Sequence, residues 1–220
     1  AFVGLLVSAP AALFFTPKTQ RRLIIICLAL ALILLFQLAN DLFWSRMSTI
    51  PVSNTEVVER SAESRIDIAR ANFQMFLDYP WGVGHRGNEI LSPRYMPSYL
   101  LTNKGEVQIR SAHNTLMAVL VDHGFVGLTL FLLFQISIIR SLIRLKFCQT
   151  PTFLMEFGFY LAALGTSLVI YWGNAQFANM TKAEVVIWIA VLTGALEWMA
   201  RAPLQSQVLG PAAEVKHKAT

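Results

Sequence analysis

Ser111-Ala112-His113-Asn114 stands directly before a long apolar run that begins at Thr115. A histidine at the N-terminal mouth of a helix feels the positive end of the aligned peptide dipoles, which disfavours its protonated form. Such an imidazole stays neutral near pH 7 and can take a proton from a hydroxyl. Asn114 or Ser111 has the side chain to cap the helix. The competing reading of His113 is a polar interface residue, and the residue alone does not separate the two. Asp122 and His123 follow, just ahead of Gly124-Phe125-Val126-Gly127. Ionisable groups at membrane depth are costly and point to function. The glycines also allow a break there, with Asp122 and His123 at the junction of a short outer helix and a span.

Upstream, Gly82-Val83-Gly84-His85-Arg86-Gly87 matches G-x-G-x-x-G letter for letter. A dinucleotide site needs a strand before that motif and a helix after it, and here a helical pattern and Pro80 come first. The glycines permit tight turns, and successive backbone N–H groups can form an anion-binding nest; a plain turn fits equally well. Before them, Ile66, Ala69, Phe73, Phe76 and Leu77 recur at 3- and 4-residue steps, the mark of an amphipathic helix against the membrane or the spans. Ser53-x-x-Glu56 has capping-box spacing for its start, and Pro80 stops it. Arg65 and Arg70 lie off the apolar stripe, where the bland reading is a solvated face. Ser92 to Arg110 is rich in turn formers and reads as a flexible cover. Its Arg94, Tyr95 and Tyr99 are either sugar or phosphate contacts or ordinary loop residues.

The elements that must position these groups are set by composition. The chain is 55% hydrophobic and 14% charged, with mean hydropathy +0.53, which is membrane-like. The expectation is an all-α polytopic membrane protein with about four full transmembrane helices. Phe2–Phe15 reads as a partial N-terminal span, the tail of an earlier one in a longer protein. Leu23–Ala39, Thr115–Ile143, Phe153–Trp172 and Val185–Ala200 are the spans, and Trp44 is an interface anchor. Lys18, Arg21 and Arg22, then Arg140, Arg144 and Lys146, then Arg201, Lys216 and Lys218 fall on one side if the spans alternate, and that side is the cytoplasm. Four regions follow: 1–44 a partial span plus a helix, 45–112 a large extracytoplasmic loop, 113–200 three spans, and 201–220 a cytoplasmic tail. The net charge of +5 sits at helix ends, without the aromatic-interleaved basic stripe of a nucleic-acid binder. Cys27 and Cys148 suggest neither disulfide nor metal site.

The ordered set Ser64-Arg65-Ile66-Asp67-Ile68-Ala69, Tyr79-Pro80-Trp81-Gly82-Val83-Gly84, Ala112-His113-Asn114-Thr115-Leu116 and Asp122-His123-Gly124-Phe125-Val126-Gly127-Leu128 resembles the O-antigen ligase and polysaccharide polymerase family. These are the Wzy/WaaL-type membrane glycosyltransferases. The resemblance covers roughly Arg60 to Phe134. It implies metal-independent, cofactor-free, inverting transfer of a glycan from undecaprenyl diphosphate to a lipid-linked acceptor. That acceptor is lipid A-core in a ligase and a growing polysaccharide in a polymerase. The setting would be the periplasmic face of the bacterial inner membrane. The family's loop histidine falls on His113 and its loop-helix arginine on Arg65; a further family arginine from an earlier part of the chain has no counterpart here. Arg86, Arg70 and Asn114 are the secondary substrate-binding candidates. A different class, a transporter or scaffold, would call for polar or broken helices at mid-membrane. Leu23–Ala39 shows none, although Gly165, Thr166 and Ser167 soften the third span.

Overall fold

The computed structural model describes residues 2–40, 55–103, 106–107, 109–180 and 184–209. Trp44, Ser53 and the basic tail residues Lys216 and Lys218 lie outside them. The apolar runs fold as helices, because lipid offers backbone polar groups no partner outside the segment. They are α1 (Phe2–Phe15), α2 (Arg21–Leu38), α6 (Thr115–Phe147), α7 (Pro151–Ala175) and α8 (Val185–Leu209), with a 3-10 turn at Lys18–Gln20. The outer segment contributes α3 (Thr55–Asp78), α4 (Gly87–Tyr95) and α5 (Ser98–Leu101). A minimal antiparallel ladder pairs β1 (Thr102–Asn103) with β2 (Glu106–Val107). Among the described residues the regular structure is thus helical apart from that ladder. Three helical stretches among the described residues are long and apolar enough to cross a membrane: Lys18–Leu38, Thr115–Phe147 and Pro151–Ala175.

Small residues let the helices approach closely, which is how membrane helices gain contact without a hydrophobic drive between them. A Cβ on Gly165 would sit 2.3 Å from Phe15 Cγ, and one on Gly158 would sit 2.4 Å from Pro17 Cγ, so α1 lies directly on the α7 backbone. Leu142, Leu145, Leu161 and Leu168 are buried in the same cluster. One end of the bundle is basic. Lys146 lies over the Phe14 ring, Gln20 donates to the Met155 carbonyl at 2.8 Å, and Glu197 is 3.7 Å from Arg144 and 3.6 Å from Arg201.

The opposite end is built around a broken helix. Gly124 has φ 68° and ψ −171° inside α6, which frees backbone groups of the adjoining turns. The outer segment supplies their partners. Phe125 N–H donates to Pro80 O at 3.1 Å, Val83 N–H to Val121 O at 3.0 Å, and Gly84 N–H to Asp122 O at 2.8 Å. The two backbones cross in contact. A Cβ on Gly124 would lie 2.4 Å from Trp81 C, and one on Gly82 would lie 2.6 Å from His123 C. Gly127 makes room for the His123 side chain, whose Cβ would lie 2.2 Å from a Cβ there. The break expected beside Asp122 and His123 is therefore present, and Pro80–Gly84 fills it.

The stripe expected to lie against the membrane or the spans divides: Phe76 packs on the protein core, Ile66, Phe73 and Leu77 are exposed, and α3 also buries Ile68, Ala71, Asn72 and Met75. The helical period was legible but not which of two apolar faces meets the fold. Within Ser92–Arg110, Met96, Leu100 and Leu101 pack with Ile68, Met75 and Val121 in one cluster.

Gly124→Ala or Gly82→Ala should destabilise the protein by more than about 3 kcal/mol, since positive φ and backbone contact both oppose a Cβ. Gly194, with nothing within 4 Å of its Cβ position, should accept alanine with no loss. Thermal unfolding of the three variants in detergent distinguishes these outcomes.

Candidate functional site

His113 occupies the left-handed region, φ 50°, at a cost of about 1 kcal/mol for a non-glycine residue. Its neighbours hold it there. Asn114 is the N-cap of α6, its Oδ1 accepting from Met117 N–H at 3.1 Å. The turn after α7 wraps the same end. Thr115 Oγ1 donates to Ala178 O at 2.9 Å and accepts from Met180 N–H at 2.9 Å. Asn114 Nδ2 reaches Gln176 O at 3.4 Å.

Two guanidinium groups act on His113. Burial pushes the imidazole below the ordinary histidine range, and the charges of Arg110 and Arg65 push it further down. The direction is the one expected from sequence, but the causes named there differ: the histidine precedes the helix by two residues, and burial and arginines do the work. Arg65 arrives from α3, its Cζ 5.3 Å from the Phe177 ring centroid. Arg110 arrives from the stretch leading to α6, its Nη1 donating to Leu100 O at 2.5 Å. The charges of Arg65 and Arg110 are thus both felt at His113, and Phe177 lies against Arg65. Two of these residues had no motif: Arg110 was one basic residue among many in the loop, and Phe177 lies more than sixty positions from His113.

The secondary candidates Arg86, Arg70 and Asn114 each have a partner within the chain. Arg86 donates from Nε to Glu89 Oε2 at 2.7 Å, with Nη2 at 2.7 Å from the same oxygen, so its charge is already met. Arg70 pairs with Asp67 at 3.3 Å. Five residues from Arg65, it points some 140° around α3 from it. Asn114 serves as a cap and a tie to Gln176. Tyr95 and Tyr99 donate to Asp78 and Asp67 at 2.5 and 2.6 Å. The bond to Asp78 pushes the Tyr95 phenol up to about 12, and the bond to Asp67 raises Tyr99.

The glycine motif does cradle an anion, but the chain's own. The buried Asp122 carboxylate accepts from Arg86 N–H at 3.1 Å, Asn88 N–H at 2.9 Å and Asn88 Nδ2 at 2.8 Å. It caps α4 from another element, and it takes N–H groups that an external phosphate would need. Among the described residues no group of three or more His, Cys, Asp and Glu is gathered as a metal site.

A protein-family model described as O-antigen ligase matches residues 1–132. The chain belongs to the O-antigen ligase family. The match takes in Arg65, the Gly82–Gly124 crossing, Arg110, His113 and Asp122, and it extends back over α1 and α2. It supports a ligase- or polymerase-type function in the broad sense. Apolar helices and family together make this a bacterial membrane protein. No curated protein and no solved structure matches the chain.

In this O-antigen ligase family member, replacing Arg65 or Arg110 by Gln should raise the His113 midpoint toward the ordinary value of about 6.5, because each removes a repelling positive charge. Carbethoxylation of neutral imidazole, followed against pH at His113 by peptide mass, reads that midpoint; an unmoved value in both variants would remove the cationic pocket.

Proposed function

We propose that this chain carries the base and a leaving-group clamp of a membrane glycosyltransferase. The enzyme moves a glycan from undecaprenyl diphosphate to a lipid-linked acceptor, lipid A-core, at the periplasmic face of the inner membrane. What supports the reading is a histidine just before α6 whose imidazole is held below the ordinary range by burial and by the charges of Arg110 and Arg65. On this reading α8 is a fourth span, and the basic end of the bundle faces the cytoplasm.

The chemistry follows from the charges. A sugar hydroxyl is a weak nucleophile until its proton is removed, and His113 takes that proton. The hydroxyl oxygen bonds to the anomeric carbon as the bond from that carbon to the diphosphate oxygen breaks. The electron pair stays on the diphosphate, whose growing negative charge Arg65 and Arg110 stabilise. One displacement inverts the anomeric centre. Diphosphate leaves readily, so no paired carboxylates of the glycosidase kind are required. The arginines also tune the base. With the site empty they keep His113 unprotonated; a bound diphosphate offsets their charge and restores its basicity when it is needed.

The same chemistry on a growing polysaccharide acceptor would make a polymerase. Expression in one strain lacking its ligase and in another lacking its polymerase separates the two, and rescue of neither overturns both.

His113→Ala should lower transfer by at least about 100-fold, and Arg65→Lys, which loses the planar fork, by at least about 10-fold, with membrane insertion intact. Wild-type turnover in either would overturn the mechanism. The acid limb of kcat/KM, which reports the free enzyme, should have its midpoint below about 6.5. The limb of kcat, which reports the donor complex, should lie at higher pH. Coincident limbs would remove the charge-offset argument. Transfer should survive EDTA, whereas loss restored by a divalent cation would contradict a purely protein-borne mechanism.

A further inference from the structure

Ala112 and Arg110, one and three residues before His113, are held by α4, a helix with no residue in the proposed chemistry. Asn88 is fully buried, and its Oδ1 accepts from Ala112 N–H at 3.3 Å. One turn on, Ser92 is fully buried, and its Oγ accepts from Arg110 N–H at 2.8 Å while donating to Glu89 O at 2.7 Å. Residues four apart share a helix face, so one face of α4 grips the chain at both positions. Asn88 is fixed in turn, since its backbone N–H and its Nδ2 both donate to Asp122 Oδ1. With its amide group engaged on Asp122, its carbonyl oxygen is left to point at Ala112.

We propose that Asn88 and Ser92 are positioning residues for glycan transfer, splinting Arg110 and Ala112 so that His113 faces its two guanidinium groups, with Asp122 as the anchor of the splint. The proposal rests on the reading of His113 as the base. Buried polar side chains are costly unless fully paired, and here the pairing goes to the backbone of the site. A structural role alone would be met by apolar packing, which is better tolerated. His113 sits in a left-handed conformation that its surroundings must enforce, and Ala112 is the last residue before it. The charged groups acting on the imidazole are Arg65 on α3 and Arg110 on the lead-in to α6. From Gln176 to Met180 the turn after α7 carries no charged side chain.

The test uses Asn88→Ala and Ser92→Ala in the membrane-embedded protein, with two readouts. First, the pH midpoint of His113 carbethoxylation, which needs no turnover, should move upward as the histidine or Arg110 swings out of the cationic pocket. Second, kcat should fall about 10- to 100-fold with KM changed less than about threefold, the pattern of a misplaced reacting group. Should Asn88→Ala fail to insert, Ser92→Ala, which touches neither Asp122 nor His113, decides the question through Arg110 alone. A folded variant with an unmoved midpoint and unchanged kcat overturns the proposal. If His113→Ala itself retains transfer, the assignment of the base fails, while the carbethoxylation midpoint still judges the splint.

Discussion

A single buried carboxylate organises the outer face of this protein. Asp122 lies on α6 just before its break, and three N–H donors from Arg86 and Asn88 converge on it. Without them the charge would be stranded in a poorly solvated place, at a cost of several kcal/mol. With them it fixes the start of α4, and α4 then fixes the lead-in to His113. The glycine-rich stretch earns its place through the same contact, because only a chain free of bulky side chains can bring those N–H groups so close to another backbone.

The site that results is polarised by position rather than by any unusual residue. A histidine, two arginines and a phenylalanine come from three separate stretches: α3, the approach to α6, and the turn after α7. Each is ordinary in its own sequence context. Burial and the two arginines make the imidazole hard to protonate, and gathered positive charge of this kind favours a ligand with concentrated negative charge. Membership of the O-antigen ligase family and this electrostatic character were reached independently, one from the pattern of the chain and the other from its geometry.

Much of the architecture could be read in advance, and the reasons are physical. Helices in lipid must be long, apolar and closed on themselves, so the apolar helices announce themselves, with ends within about four residues of those found except at α8, which runs to Leu209 rather than Ala200. Pro80 ended α3 as its geometry demands. His113 was legible because a histidine beside a cap and a long apolar run is conspicuous. Other features were hidden. The α3 stripe at Ile66, Phe73 and Leu77 looked like the packing face because hydrophobicity does not distinguish lipid from protein as a neighbour. Arg86 and Arg70 looked free because their partners, Glu89 and Asp67, each three residues away in sequence, had to be placed in space before they counted. Arg110 and Phe177 carried no local signal, since their importance comes from contacts across the chain. The anion cradled by the glycines was sought outside the molecule and proved to be Asp122.

The crossing of Gly82 over Gly124 has a mechanical consequence. Most junctions between elements are cushioned by side chains, which absorb small displacements by changing rotamer. Here main chain touches main chain, with hydrogen bonds on either side and nothing compressible between. Any tilt of the lower part of α6 must be handed on undiminished to Pro80–Gly84, and from there to the turn that opens α4. The upper and lower halves of α6 are separate helices in geometry, yet they are obliged to move as one lever.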